Sequence, residues 1–214
     1  MSIEVSVTTR LRERLRLETD DIHQRLHRNP AMLRLMSDEC THSHYLDVLK
    51  AFFIFYTQSE DFYRGLPSAQ RFAQEAKPLE WLQKDFSVAG IDSSTLAAQA
   101  LALEKYRVDY TNSEPTLATY LGYLYVKQGS TLGGQMISKR LHKTLALDAG
   151  QTQHFFYGFG ADTGIKWQKF LEYLSDAESK LSADDVVLSA RNHFLNLEYL
   201  FNQFFTAGDE NGNR

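Results

Sequence analysis

The sequence predicts an all-α protein built as one domain, and three observations carry that prediction. Only 4 prolines occur in 214 residues, so long stretches run without a residue that removes a helical hydrogen bond. Apolar residues recur at three- and four-residue spacing, as in Leu11, Leu15, Ile22 and Leu26, or Leu121, Leu124, Tyr125, Leu132, Met136, Ile137 and Leu141. No pair of alternating runs reads as two strands, and no repeat or linker divides the chain.

Thr8 or Thr9 can cap a first helix that runs to about Arg28, before Asn29-Pro30. A short helix follows Pro30. A long aromatic helix spans about His44 to Arg64 and ends at "GLP". The next covers about Ser68 to Val88 and stops at Ala89-Gly90, and a fifth runs from about Ser93 to Tyr110. "TNSEP", Thr111 to Pro115, is a turn. A glycine-bearing helix then extends from about Thr116 to His142, and "DAG", Asp148 to Gly150, closes the following connection. The segment "HFFYGFGADTG", His154 to Gly164, is a loop or a single turn. Helices follow over about Ile165 to Lys180 and Ser182 to Phe205. Residues 1–8 and 207–214 read as flexible tails of the single domain.

Composition narrows the function classes. Hydrophobic residues at 43 % and charged residues at 23 % let a chain this long build a core without disulfides or structural metal. A net charge of −4 with no basic block argues against nucleic acid as a partner. Cys40 stands alone, which excludes an internal disulfide and fits a reducing compartment. The most apolar window, "AFFIFY" at Ala51 to Tyr56, is far too short to span a membrane, and the N-terminal stretch has no secretory h-region. A cytoplasmic location is expected. Aromatic residues reach 13 %; they either line a pocket or, more commonly, fill a plain core.

The glycine-bearing helix poses the functional question. Gly129, Gly133 and Gly134 each cost a helix interior about 1 kcal/mol relative to alanine. Gly122, Val126, Gly129, Gly133 and Ile137 fall on one helix face, a stripe with almost no bulk in its middle, and Gly134 adds a point where the helix can kink. Three readings compete. Small residues four apart permit close helix–helix packing. "GSTLGGQ" could cradle a phosphate, but it lacks the Lys-Ser/Thr ending and does not follow a strand. A flat cofactor could rest on the helix, with a ligand supplied from the opposite side. His23, at the edge of the first helix's apolar face, is such a ligand candidate, since neutral imidazole serves haem iron. A lone histidine there is more often a core or boundary residue. His23 and His27 also have the i, i+4 spacing of a zinc pair, without a clear third ligand.

Taken together, "LYVKQGSTLGGQMI" at Leu124 to Ile137 and "LRLETDDIH" at Leu15 to His23 resemble the haem oxygenase family. "FFYGFGADTGIKWQKF", Phe155 to Phe170, strengthens the likeness, which spans about Leu11 to Phe205 and resembles the bacterial branch that supplies biliverdin to bacteriophytochromes. The resemblance implies that haem is both cofactor and substrate and lies between a proximal and a kinked distal helix. It implies an oxygen- and reductant-dependent cleavage to biliverdin, carbon monoxide and ferrous iron, with electrons from an external reductase or ferredoxin. By resemblance His23 is the axial iron ligand, and Gly129, Gly133 and Gly134 let the distal backbone approach the ring. Arg16, on the ligand's helix face, matches a propionate contact; Lys166, Lys169 and Tyr125 are further pocket-edge candidates, and Asn196 lies in a matching C-terminal segment.

Two positions depart from the family pattern. Ser130 stands where many members carry an aspartate that orders water; a hydroxyl can still hold a water but brings no charge. His27 stands where many carry a glutamate near the ligand's second nitrogen, which leaves His23 less electron-rich. The function expected from the resemblance is therefore haem degradation, with a non-enzymatic haem carrier or sensor, or a helical interaction domain, as alternatives.

Overall fold

The computed structural model describes residues 10–67, 77–96 and 114–206. Those residues are helical with no strand among them; the extended pairing is a lone bridge between Ala149 and Gln153. In chain order the helices are α1 (Leu11–Glu18), α2 (Asp20–His27), α3 (Pro30–Leu35), α4 (His42–Tyr63), α5 (Pro78–Val88), α6 (Leu117–Leu145), α7 (Thr163–Glu178) and α8 (Ala183–Thr206). A 3₁₀ turn, Gly160–Asp162, leads into α7, and residues 93–96 are also helical.

Two predicted helices are cut differently. The first is divided at Thr19, whose hydroxyl donates back to the Leu15 carbonyl at 2.7 Å and whose backbone is distorted to φ −109° and ψ −1°. α5 begins at Pro78 with Lys77 outside it, because proline fits the first turn of a helix and not its interior; the predicted helix from Ser68 is not continuous. Residues 68–76 and 97–113, which hold the rest of that helix and of the fifth, lie outside the described residues, as do Thr8 and Thr9. α4 starts two residues before its predicted start, where Thr41 caps the His44 amide and His44 returns the bond. α6, predicted from about Thr116 to His142, is capped by Thr116 and runs without interruption through all its glycines to Leu145.

α4 is the axis of the core. Leu49 and the run from Ala51 to Tyr56 are buried, so this helix is apolar around its circumference, as a helix enclosed by others must be. α6 and α8 close on it through Phe55, Tyr123 and His193. α6 and α8 meet at Gly122, where an added Cβ would stand 2.6 Å from the Ala190 nitrogen and the Val186 oxygen. Ser189 Oγ donates to the Thr119 carbonyl and Tyr123 lies against His193, so α6 and α8 run in the same direction. α1 and α2 lie along α8 in that direction too. Arg14 pairs with Asp184, Arg191 with Asp21, Arg25 with Glu198 and Asn29 with Asn202, in step along both segments. α2 and α6 are thus parallel neighbours of one helix.

Candidate functional site

The ligand candidate His23 sits on the solvent side of α2 beside the buried Ile22 and Leu26. Its ring packs edge-on against His27, with centroids 4.5 Å apart, and against Phe194 of α8 at 5.7 Å. Burial lowers its pKa, and the neighbouring His27 lowers it further against the pull of Asp20. The imidazole is thereby held toward the neutral form that binds metals.

On α6 the glycines divide into two kinds. A Cβ at Gly129 or Gly133 would meet nothing within 4 Å. A Cβ at Gly134 would stand 2.8 Å from the Phe156 carbonyl oxygen, and one at Gly122 would strike α8. Gly134, which lies off the stripe and which the resemblance turns toward the ring, is where the loop before α7 lies against the helix, and Gly122 serves helix packing. Gly129 and Gly133 alone of the four leave a cradle, about 6 Å long at 1.5 Å per residue. Leu132 and Met136 flank it and are 45 % and 69 % exposed, an apolar rim without a protein cover.

Tyr125 ties the two helices together one turn before the cradle. Its ring lies 6.0 Å from that of Trp167; burial raises its pKa, and the hydrogen bond to Thr19, with the charges of Arg16 and Arg12, opposes the rise. From this contact α2 and α6 run on in the same direction, and one turn further are His23 on one and Gly129 on the other. At the far end of the cradle face Arg140 pairs with Asp38 at 2.8 Å. Arg16 is exposed and forms no ion pair among the described residues, unlike Arg14, Arg25 and Arg191.

Ser130, next to the cradle, donates its proton to the Lys127 carbonyl at 2.8 Å. With that proton engaged, Tyr56 supplies the proton of the 2.7 Å contact between the two hydroxyls. Burial pushes the Tyr56 pKa well above its ordinary value. Tyr56 lies in the aromatic run Ala51 to Tyr63, which the sequence reads as mainly core with one edge near a cofactor, without singling out this residue. Behind Ser130, Lys127 is 2 % exposed, pairs with Glu60 at 3.0 Å and lies over the Tyr123 ring.

The remaining predicted positions lie on α7 and α8. Lys166 stands over the Phe159 ring at 5.5 Å, Lys169 is exposed, and Asn196 is wholly buried within α8. Sequence reasoning assigned no site role to Phe194, Trp167, Leu132 or Met136; Leu132 and Met136 stood out only as members of an apolar repeat, and Trp167 only as part of the resemblance.

The residues present fit a flat, partly apolar group with a metal at its centre: a neutral imidazole on one helix and bare backbone with apolar flanks on the other. The family model described as Heme oxygenase matches residues 9–203. The chain belongs to the haem oxygenase family. Its structure is similar to that of the heme oxygenase from Leptospira interrogans, with a TM-score of 0.64 at 15 % identity, covering 91 % of this chain and all of the other. No curated protein matches the chain by sequence. The helical domain is thus the haem oxygenase fold, and the family makes haem its substrate and haem degradation its activity. Among the described residues no helix is long and apolar enough to cross a membrane.

Proposed function

We propose that this haem oxygenase holds haem between His23 and the Gly129–Gly133 cradle, and cleaves it to biliverdin with dioxygen and electrons from an external reductase or ferredoxin. The observation that carries this reading is the pair of open glycines on α6, set one turn beyond the Tyr125–Thr19 contact as His23 is on α2. When bound, haem supplies the iron that activates dioxygen and the ring that is cleaved.

The chain's own residues then have distinct tasks. His23 binds the iron as a neutral imidazole; a neutral ligand pushes electron density onto iron less than a thiolate does. Gly129 and Gly133 let the α6 backbone lie against the ring, while Leu132 and Met136 cover its apolar edge and exclude water. Arg16, exposed and outside any ion pair among the described residues, holds a propionate, with Tyr125 beside it and Lys166 as a second cation at the edge. Ser130 and Tyr56 form a neutral hydroxyl pair on the oxygen side. Neither is acidic, and with both protons engaged the pair offers only acceptor lone pairs to a water or ligand on that side. A cytoplasmic site of action and delivery of biliverdin to a bacteriophytochrome accord with the lone buried Cys40 and the bacterial resemblance.

Mixing the protein with one equivalent of hemin and then adding a reductant in air, with catalase present, tests the reading. A Soret band that forms and decays into biliverdin absorption is expected, and His23→Ala is expected to lose the native coordination. A Soret band that persists with every reductant would make the protein a haem carrier, and a His23→Ala spectrum equal to wild type would overturn the ligand assignment.

A further inference from the structure

Asp85 is not among the residues assigned to the haem, yet its side chain is wholly buried on α5 and both its oxygens are saturated. Oδ1 accepts from the His154 amide at 2.6 Å and lies 2.9 Å from His154 Nδ1; Oδ2 accepts from the Phe155 amide at 3.0 Å and the Tyr45 hydroxyl at 2.9 Å. One carboxylate thus joins α5, the first turn of α4 and the loop ahead of α7. A buried charge is tolerable only with such donors around it.

What that loop touches gives the arrangement its meaning. The Phe155 ring packs on Phe52 at 4.7 Å and on Tyr56 at 5.9 Å, and Tyr56 carries the hydrogen bond to Ser130. The Phe156 carbonyl fills the notch at Gly134. Gln135 Nε2 donates to the Tyr157 carbonyl at 2.7 Å, and Gln153 Nε2 donates to the Ser138 carbonyl at 3.0 Å. The loop therefore grips α6 at 134, 135 and 138, directly after the open glycines. A helix with glycines at 129, 133 and 134 resists bending poorly, so its course follows whatever grips it.

We propose that Asp85 is a positioning residue for the cradle: by holding the His154 and Phe155 amides it sets Phe155 against Tyr56, hence Tyr56 on Ser130, and seats Phe156 under Gly134. This rests on the reading of Gly129 and Gly133 as the haem face. Asp85→Asn keeps the shape but turns one acceptor oxygen into an NH₂ that opposes the amide donors.

Amide hydrogen exchange on the haem-free protein is the first readout. The variant should lose protection by about tenfold over 129–138 and 153–157, with α1, α2 and the middle of α8 unchanged. Hemin should still bind Asp85→Asn one to one, since His23 is untouched. The affinity of its ferric form for azide on the open side should shift by about fivefold or more, because a displaced Tyr56–Ser130 pair changes the hydrogen bonds there. Unchanged exchange over 129–138, or an equal loss in every helix, would overturn the proposal. Should Asp85→Asn not fold, Tyr45→Phe removes one donor at nearly constant volume; the same local pattern, weaker, is expected, and a uniform loss overturns the idea. Absence of a Soret band in the wild-type protein would refute the haem site itself and leave the exchange pattern to stand or fall separately.

Discussion

The four glycines of α6 allow a prediction in which one substitution has opposite effects on stability and on haem. Gly129→Ala and Gly133→Ala place a methyl where nothing lies within 4 Å. Each removes unfolded-state freedom and gains about 1 kcal/mol of helix propensity, about 2 kcal/mol for the pair. At about 2–4 °C per kcal/mol for a chain of this size, the haem-free double variant should melt about 4–8 °C higher. Gly122→Ala should do the reverse. Its methyl would stand 2.6 Å from two backbone atoms of α8, which cannot rotate aside. Overpacking of that kind costs about 1–3 kcal/mol and outweighs the propensity gain. Gly134→Ala, 2.8 Å from a loop carbonyl, should fall between them. With hemin the order inverts. The two stabilising methyls occupy the cradle, so the double variant should bind hemin about tenfold more weakly, a loss of about 1.4 kcal/mol. Scanning calorimetry of the haem-free proteins and a hemin titration followed at the Soret band measure both effects. A double variant that melts below wild type would refute the open face. One that melts higher and binds hemin as tightly as wild type would refute the cradle.

Three further outcomes are expected. His27→Glu places a carboxylate one turn from His23, where the His27 ring now lies 4.5 Å away; the ligand gains basicity and the haem reduction potential should fall, and an unchanged potential in a redox titration would show that the two side chains are not coupled. His193 is 1 % exposed against Tyr63, Tyr123 and Phe55, and burial pulls its pKa from 6.5 to about 4. A folded-state pKa below the unfolded one means stability is complete above pH 6.5 and is lost as pH falls toward 4, on the order of 3 kcal/mol in all. Urea melts of wild type and His193→Gln at pH 7 and pH 5 should show the steeper loss in wild type, and parallel losses would contradict it. Glu60→Gln leaves the Lys127 amine buried without its carboxylate and should cost up to about 3 kcal/mol, whereas Lys127→Met removes the buried charge and should stay within about 1 kcal/mol of wild type; equal losses in urea melts would count against the pair.

The helices were legible wherever the signal is local. Thr116 and Thr41 cap as their side chains allow, and Asn29 accepts from the Ala31 amide ahead of Pro30. The break at Thr19 was not, because a threonine in a continuous apolar repeat gives no sign of whether it will bond back to the preceding turn. Pro78 was legible in principle, since its place in an otherwise helical run marks a start and not an interior. The burial of α4 on every side was only half visible: "AFFIFY" shows an enclosed helix, but not that one hydroxyl in it, that of Tyr56, reaches Ser130 some 74 residues away.

For the site the limit is of a different kind. Spacing alone puts Gly122, Gly129 and Gly133 on one face of α6, yet those glycines do opposite work, because a face is not a neighbourhood. α8 covers the stripe at Gly122 and has left it by Gly129. Gly134, a third of a turn away from Gly133, is taken by the Phe156 carbonyl. A helix that packs tightly at one end, receives a loop at the other and leaves its middle bare carries glycine in all three places for separate reasons. The two packed glycines fix where the bare pair lies, so substitution of Gly122 or Gly134 should disturb haem binding only in proportion to the displacement of α6. Substitution of Gly129 or Gly133 should disturb it without moving the helix at all.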